Sequence, residues 1–575
     1  MLNTFSKEET NIRPSFNRWD FLALLLILGG FCVLAWGAKQ MASPYELGEP
    51  IIIQLSPDHL AYYSLRTVLR MFIALIFSLL FTFVFGTMAA KNKTLGRLII
   101  PAIDVMQSVP VLGFLSISVV GFIKLFPNNL LGPECAAIFA IFTSQVWNIA
   151  LSFYQSLCTV PKNLHEVATV FQLSAWQKFW RVEVPFAMPG LLWNTMISMS
   201  AGWFFVVAAE AISVANQTIT LPGIGSYIAL AVSKGNSLAV FYAVIAMFLV
   251  ILIYDQFLFR PLTGWAVKFS FQEIEEETSS WIVNFFHRTQ LLRHVPVFLE
   301  KLTDVFINAD FFRYQVKNKS IKINRSFKRS IQFCWYAALI VITSVVLYVS
   351  AQFIVLNVSW HEVQHVLLLG LITGLRIIIL VMLCALVWVP IGVWIGLRPG
   401  WVSCVRPVIQ FLAAFPANLL FPAFVILIIK YQLNVEVWTS PLFILGTQWY
   451  ILFNVIVGAS ALPKDLYEAV GNMQVKGWLW WKRLALPGIF PYLLTGIITA
   501  AGGAWNASIL AEAVNWAGVK LYATGLGAYI AIATDRGEFP ELALGISVMC
   551  LYVLVVNRIL WRPLYKLAEE RYALK

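Results

Sequence analysis

The chain has 575 residues, 59% of them hydrophobic and only 12% charged, which lies far outside the range of soluble globular domains. Its net charge of +12 would suit a nucleic-acid binder. However, with the N-terminus inside, most of the 41 lysines and arginines fall in cytoplasmic segments between apolar runs, so the basic excess is a topology signal and no nucleic-acid partner is implied.

In chain order, residues 1–20 form a polar cytoplasmic tail. The apolar run at 21–38 follows Arg13, Arg18 and Asp20 without a small-residue cleavage site, and reads as a retained signal anchor. About twelve spans are expected, each long enough to cross a hydrocarbon core about 30 Å thick. They lie near 21–38, 65–90, 98–125, 135–160, 184–212 and 238–259, then 331–356, 367–397, 405–429, 437–462, 486–514 and 542–560. The third carries Pro101, Asp104 and Pro110 and is expected to be kinked or broken, as is its counterpart with Pro407, Gln410 and Pro416. The inner loop at 161–185 has the spacing of a short amphipathic helix, and so does the one at 463–487. Between about 268 and 330 runs a charged segment, with Glu275-Glu276-Glu277 and a basic end from Lys317 to Arg329. It reads as a cytoplasmic linker between two permease-sized units, 21–267 and 331–575. The seven cysteines mostly fall within apolar spans without close pairing, and indicate neither a disulfide framework nor a metal site.

The two units are copies of each other. Leu164-His165-Glu166-Val167-Ala168, Gln172 and Val182-Glu183-Val184-Pro185 recur as Leu466-Tyr467-Glu468-Ala469-Val470, Gln474 and Leu484-Ala485-Leu486-Pro487, 302 residues later. Glu210 pairs with Glu512, Gly225 with Gly527 and Arg260-Pro261-Leu262 with Arg562-Pro563-Leu564 at the same offset. Upstream the offset is 306, pairing Arg70 with Arg376, Gly86 with Gly392 and Pro110 with Pro416. Self-similarity over such a length is a duplication. Six spans per unit make it a parallel repeat about the membrane normal. The expected fold is an all-α polytopic membrane protein with both termini cytoplasmic.

The twin inner loops resemble the coupling loop of ATP-binding-cassette importer permeases, whose pattern is Glu-Ala-Ala, three residues, Gly, nine residues, Ile-x-Leu-Pro. Glu166, Ala168 and Pro185 match it in one copy, and Glu468, Val470 and Pro487 stand at the same places in the other. The family's glycine is replaced by Gln172 and Gln474, and glutamine takes positive φ less freely than glycine. The resemblance covers nearly the whole chain and implies a fold of two type I permease units. It also implies two ATPase subunits, expected as a homodimer, each seating one loop, and a solute-binding protein at the outer face of a bacterial inner membrane. The chain has no phosphate-binding Gly-x-x-x-x-Gly-Lys-Ser/Thr loop. ATP and Mg²⁺ are therefore expected on the partner subunits, with no catalytic residue here. The outer Leu221-Pro222-Gly223-Ile224-Gly225-Ser226-Tyr227-Ile228 cadence resembles the nitrate, sulfonate, taurine and bicarbonate branch, which implies a small oxyanion as cargo.

Arg70 and Arg376 stand near the outer ends of their spans, where they either face a shared pathway and bind an anion or snorkel to headgroups. Glu210 and Glu512 either line an outer gate or bond across the interface between halves. His361-Glu362-Val363-Gln364-His365 is a formal His-Glu-x-x-His zinc motif, but its copy near His59 keeps one histidine, so a polar entry to the span is the plainer reading. A gradient-driven secondary carrier is the alternative function. It would need a mid-membrane carboxylate, for which Asp104 is the candidate, although its duplicate is the neutral Gln410.

Overall fold

The computed structural model describes residues 51–107, 109–214, 217–259, 261–262 and 351–571, with isolated residues of 36–41 and 308–349. The N-terminal tail lies outside the described residues, as do most of the expected spans 21–38 and 331–356 and of the linker 268–330.

The first half runs through α1 (Pro57–Lys91), α2 (Lys93–Gln107), α3 (Val111–Leu125), α4 (Leu131–Cys158), α5 (Lys162–Val170) and α6 (Ala175–Glu210). After these come β1 (Ala211–Val214), β2 (Gln217–Thr220), α7 (Ile224–Ser233) and α8 (Ser237–Phe259). The second half repeats the order: α9 (Trp360–Gly396), α10 (Pro399–Ala414), α11 (Phe421–Lys430), α12 (Val435–Ile444), α13 (Gln448–Ser460), α14 (Lys464–Asn472) and α15 (Trp478–Ala511). It ends with β3 (Ala513–Trp516), β4 (Val519–Tyr522), α16 (Leu526–Arg536) and α17 (Phe539–Ala568). Among the described residues seven helices are long and apolar enough to cross a membrane, or nine if each bent pair is one span. The third expected span is divided between α2 and α3, each of 15 residues.

Two local irregularities are duplicated. One-turn π segments at Phe179–Glu183 and Asp255–Phe259 reappear 302 residues on at Trp481–Ala485 and Asn557–Trp561. Such turns are rare inside helices, so their recurrence marks them as inherited features of the repeat.

The expected breaks fall where proline removes a backbone donor and restricts the residue before it. Pro110 is extended (φ −65°, ψ 118°) at the start of α3. Pro416 is likewise extended (φ −69°, ψ 106°) between α10 and α11, which bend by 78°. The second half breaks its fourth span as well, with 44° between α12 and α13, where the first half keeps α4 continuous.

Two β-hairpins were not expected within this all-α architecture. In one, β1 pairs with β2 (Ala211 opposite Thr220), and in the other β3 pairs with β4 (Ala513 opposite Tyr522). The second closes at Ala517 and Gly518, both at positive φ (50° and 81°), which is the type I′ geometry that matches strand twist. On this hairpin Lys520 meets Asp535 at 2.9 Å, and the hydrogen bond to that carboxylate raises the lysine pKa.

The chain divides into two compact units. One comprises Met1–Gln40, Gln155–Trp193 and Ile253–Lys322; the other comprises Met41–Tyr154, Asn194–Leu252 and Ile323–Lys575. The second unit contains most of the membrane helices of both halves around one apolar core, including Val111, Leu115, Phe205, Ile377, Ile451, Ala500 and Trp505. The halves cross at matched places within it. The Val111 N–H, freed by the break, donates to Asn506 Oδ1 at 2.9 Å, and the Asn418 amide donates to the Phe204 carbonyl at 3.2 Å. Phe204 and Asn506 are repeat partners, and Asn418 directly follows the partner of Val111. Farther out, the Ala517 N–H at the second hairpin's tip donates to the Val232 carbonyl of α7 at 2.9 Å, while β1 packs against α16.

Candidate functional site

Each inner loop is a short helix followed by a tight reversal. In the first, α5 ends with the Phe171 N–H on the Val167 carbonyl, the Gln172 N–H on Thr169 and the Leu173 N–H on Ala168. In the second, the Met473, Gln474 and Val475 N–H groups donate in the same order to Ala469, Gly471 and Val470. This is how a helix end satisfies its orphan carbonyls when one residue turns left-handed. That residue is Gln172 (φ 50°) in one loop and Gln474 (φ 53°) in the other. The family's turn geometry is therefore kept without its glycine, at the cost of a left-handed non-glycine residue in each loop.

The chain then enters the next span. In the first loop a reciprocal cap sets this entry: Ser174 Oγ accepts the Gln177 N–H at 3.2 Å, and the Gln177 side chain accepts the Ser174 N–H at 3.0 Å. In the second, Gly477 at φ 62° takes that place. Pro185 and Pro487 sit half-buried near the start of the membrane helices. Ala168 is buried and Val470 half-buried, whereas Glu166, Glu468, Gln172 and Gln474 are exposed. Around the acids lie bare apolar side chains: Val170 at 80% and Phe171 at 72% exposure in one loop, Met473 at 76% and Trp478 at 74% in the other. Each loop thus presents an acidic residue beside uncovered hydrophobic surface, a combination that suits a protein partner.

The candidate pathway residues are brought together, in two ion clusters. Arg70 is fully buried, and four of its five N–H donors are taken. Nε and Nη2 reach both Glu134 oxygens at 2.6 and 2.7 Å, Nη1 reaches Glu210 at 2.6 Å, and Nη2 also donates to the Pro222 carbonyl at 3.0 Å. This arginine neither snorkels nor offers its fork to a solute. Glu210, equally buried, also accepts from Thr67 Oγ1 and the Gly225 N–H, each at 2.6 Å. It holds the Leu221–Gly225 loop against α1 within its own half.

The second half rebuilds the cluster with different charges. Glu512 accepts from Thr373 Oγ1 (2.8 Å), Arg376 Nη1 (3.3 Å) and the Gly527 and Ala528 N–H groups (2.6 and 3.1 Å). Arg376 Nη2 also meets Glu436 at 2.9 Å, and Glu436 accepts the N–H and hydroxyl of Thr524. The first cluster adds Arg66, bonded to Glu134 at 2.6 Å, and so balances two arginines against two glutamates with side chains no more than 1% exposed. Ile372 stands where Arg66 would, leaving one arginine for two acids. Glu436 can remain charged there because its side chain is 43% exposed, so water solvates it in place of a second cation.

Glu134 and Glu436 were missed as site residues, as were Thr67 and Thr373. The repeat offsets carry the signal, since Glu134 and Glu436 stand 302 residues apart and Thr67 and Thr373 stand 306 apart, and acids inside apolar spans are functional candidates in their own right. Glu362 lies in the first turn of α9, where Ser359 caps its N–H. Among the described residues no group of three or more His, Cys, Asp or Glu takes a metal-holding arrangement. Asp104 lies on α2, and its side chain lies outside what is described.

Two stretches, residues 82–259 and 388–571, match the family described as binding-protein-dependent transport system inner membrane component. The chain is 30% identical over 150 residues to the nitrate import permease protein NrtB of Leptolyngbya laminosa, covering 26% of this chain and 49% of the relative. It is 26% identical over 176 residues to the bicarbonate transport system permease protein CmpB of Synechocystis sp., covering 31% of this chain and 60% of the relative. The chain thus spans about half the length of the curated relatives it matches.

Proposed function

We propose a mechanism and a cargo for this chain, which belongs to the family of binding-protein-dependent transport system inner membrane components and carries two permease units in one polypeptide. It forms the translocation pathway of an ATP-driven importer. Two ATPase subunits, a homodimer, dock on the inner loops, and their ATP and Mg²⁺ supply the energy. Glu166 and Glu468 pair with basic residues of the ATPases, while Val170, Phe171, Met473 and Trp478 fill apolar grooves. ATP binding draws the two loops together and converts an inward-facing pathway to an outward-facing one, which it can do only through different affinity for the two states. A solute-binding protein then delivers a small oxyanion, of the nitrate or bicarbonate kind, at the outer face.

The observation that carries this reading is the shared geometry of the loops. Both repeat units keep the same left-handed reversal at a glutamine, with an acid and bare apolar side chains beside it. A gradient-driven carrier has no use for two such loops. Arg70, Arg376, Glu210 and Glu512 act as fasteners that hold the outer loops to α1 and α9, and the pathway wall lies elsewhere. Uptake of labelled nitrate or bicarbonate into cells making the complex separates the alternatives. Uptake that persists when a protonophore collapses the gradient but ATP is maintained supports the importer. Uptake that vanishes with the gradient refutes it.

A further inference from the structure

One face of the long helix α15 is polar where a lipid-facing surface would be apolar. Thr495, Thr499, Gly502 and Asn506 recur at the spacing of a single helical face, and of these the two threonines and Gly502 are exposed. Lipid-facing surfaces here look different: α8 exposes Leu238, Phe241 and Leu249 at 60, 57 and 51%. Hydroxyls and an amide in such a row belong beside water or a polar solute. The row also lies against the other half, because Asn506 Oδ1 accepts the Val111 N–H at the break before α3.

Three details make this face suited to binding. A Cβ added at Gly502 would meet nothing within 4 Å, so there is open space between Thr499 and Asn506. The hydroxyls of Thr495 and Thr499 bond only to carbonyls four residues back, on Pro491 and Thr495, and by rotating they can donate to a solute instead. With Asn506 Oδ1 held by Val111, the amide nitrogen is the end left to donate, and its one bond, to the Gly502 carbonyl, is long at 3.3 Å. The matching face of the first half carries Trp193, Ile197, Ser200 and Phe204, all half-buried.

We infer that the Thr495–Thr499–Gly502–Asn506 face is the solute-contacting wall of the pathway, and that it takes a small oxyanion through neutral hydroxyl and amide donors. The site is one-sided, since the matching face of the first half is mainly apolar. Uncharged donors fit a pathway that must release its cargo, because hydrogen bonds without a cation hold an anion less tightly than a charged fork does. This inference rests on the importer reading, but its labelling test needs no ATPase, so the two can fail separately.

The test uses the full-length chain in membrane vesicles, with its native cysteines replaced by alanine and single cysteines placed by Thr499→Cys, Ile197→Cys and Leu249→Cys. Monodispersity after solubilisation confirms that each variant folds. A charged, membrane-impermeant thiosulfonate should label Thr499→Cys and spare Leu249→Cys. Nitrate or bicarbonate at ten times the half-protecting concentration should slow labelling of Thr499→Cys about tenfold, while chloride should not. Absence of labelling, or labelling that neither oxyanion slows, overturns the assignment. Equal protection at Ile197→Cys overturns its one-sidedness. In parallel, Gly502→Leu should leave the unfolding midpoint unchanged and abolish uptake. Normal uptake in that variant would place the face outside the pathway.

Discussion

Replacing Glu134 by glutamine removes one negative charge from a closed group of four ions. Arg66 and Arg70 place three donors on Glu134 between 2.6 and 2.7 Å, and all three side chains are at most 1% exposed. Glutamine keeps one acceptor oxygen but turns an NH₂ group toward guanidinium donors, leaving two buried arginines against a single acid, Glu210, which pairs with Arg70. Breaking a buried pair by removing one partner costs about 3–5 kcal/mol, most of it from the uncompensated charge. The matched change Glu436→Gln should cost under about 1 kcal/mol, because that side chain is 43% exposed and water already screens its interaction with Arg376. Denaturant unfolding in micelles reads both, as a midpoint shift at constant slope. The same reasoning predicts that Arg66→Ile, which copies Ile372, restores much of the stability lost in Glu134→Gln, since Arg70 and Glu210 then balance. Equal losses at the two glutamates, or a deeper loss in the double variant, would refute the charge-balance argument.

The left-handed glutamines give a prediction of opposite sign. Gln172→Gly and Gln474→Gly should each stabilise their loop by about 0.5–1 kcal/mol, because relief of the left-handed strain exceeds glycine's extra chain entropy. Slower amide exchange at the ends of α5 and α14 would show it, and faster exchange would contradict it. A Cβ at Gly223 or Gly525 would collide with the carboxyl group of Glu210 or Glu512. Gly223→Ala and Gly525→Ala should therefore each lower stability by about 1–3 kcal/mol, whereas Gly400→Ala, with open space around it, should be neutral in the same unfolding assay.

The sequence carried most of the architecture because duplication amplifies weak signals. One proline at 110 is a hint of a broken helix, but a second at 416 in the matched place makes the break a property of the repeat. The inner-loop helices were legible from spacing alone, and they recur at Lys162–Val170 and Lys464–Asn472. The role of the arginines was not legible. Arg70 could have faced water, headgroups or carboxylates, and only the positions of Glu134 and Glu210 in space decide among these. The second hairpin escaped notice because its turn is Ala517-Gly518, a weaker signal than Asn-Gly. The polar face of α15 was also hidden, since two threonines and an asparagine in an apolar helix give no sign of which side they share with open space.

The claim on which everything else depends is that the twin inner loops seat ATPase subunits. Co-purification of the detergent-solubilised chain with cytosolic ATPases, for the wild type and for Glu166→Arg combined with Glu468→Arg, tests it directly. Both glutamates are exposed, so the double variant should fold normally and lose its ATPase through charge reversal. A nucleotide-binding subunit that accompanies the wild type and is absent from the double variant is the predicted result. An ATPase retained equally by both, or bound by neither in intact membrane assemblies, would contradict the account.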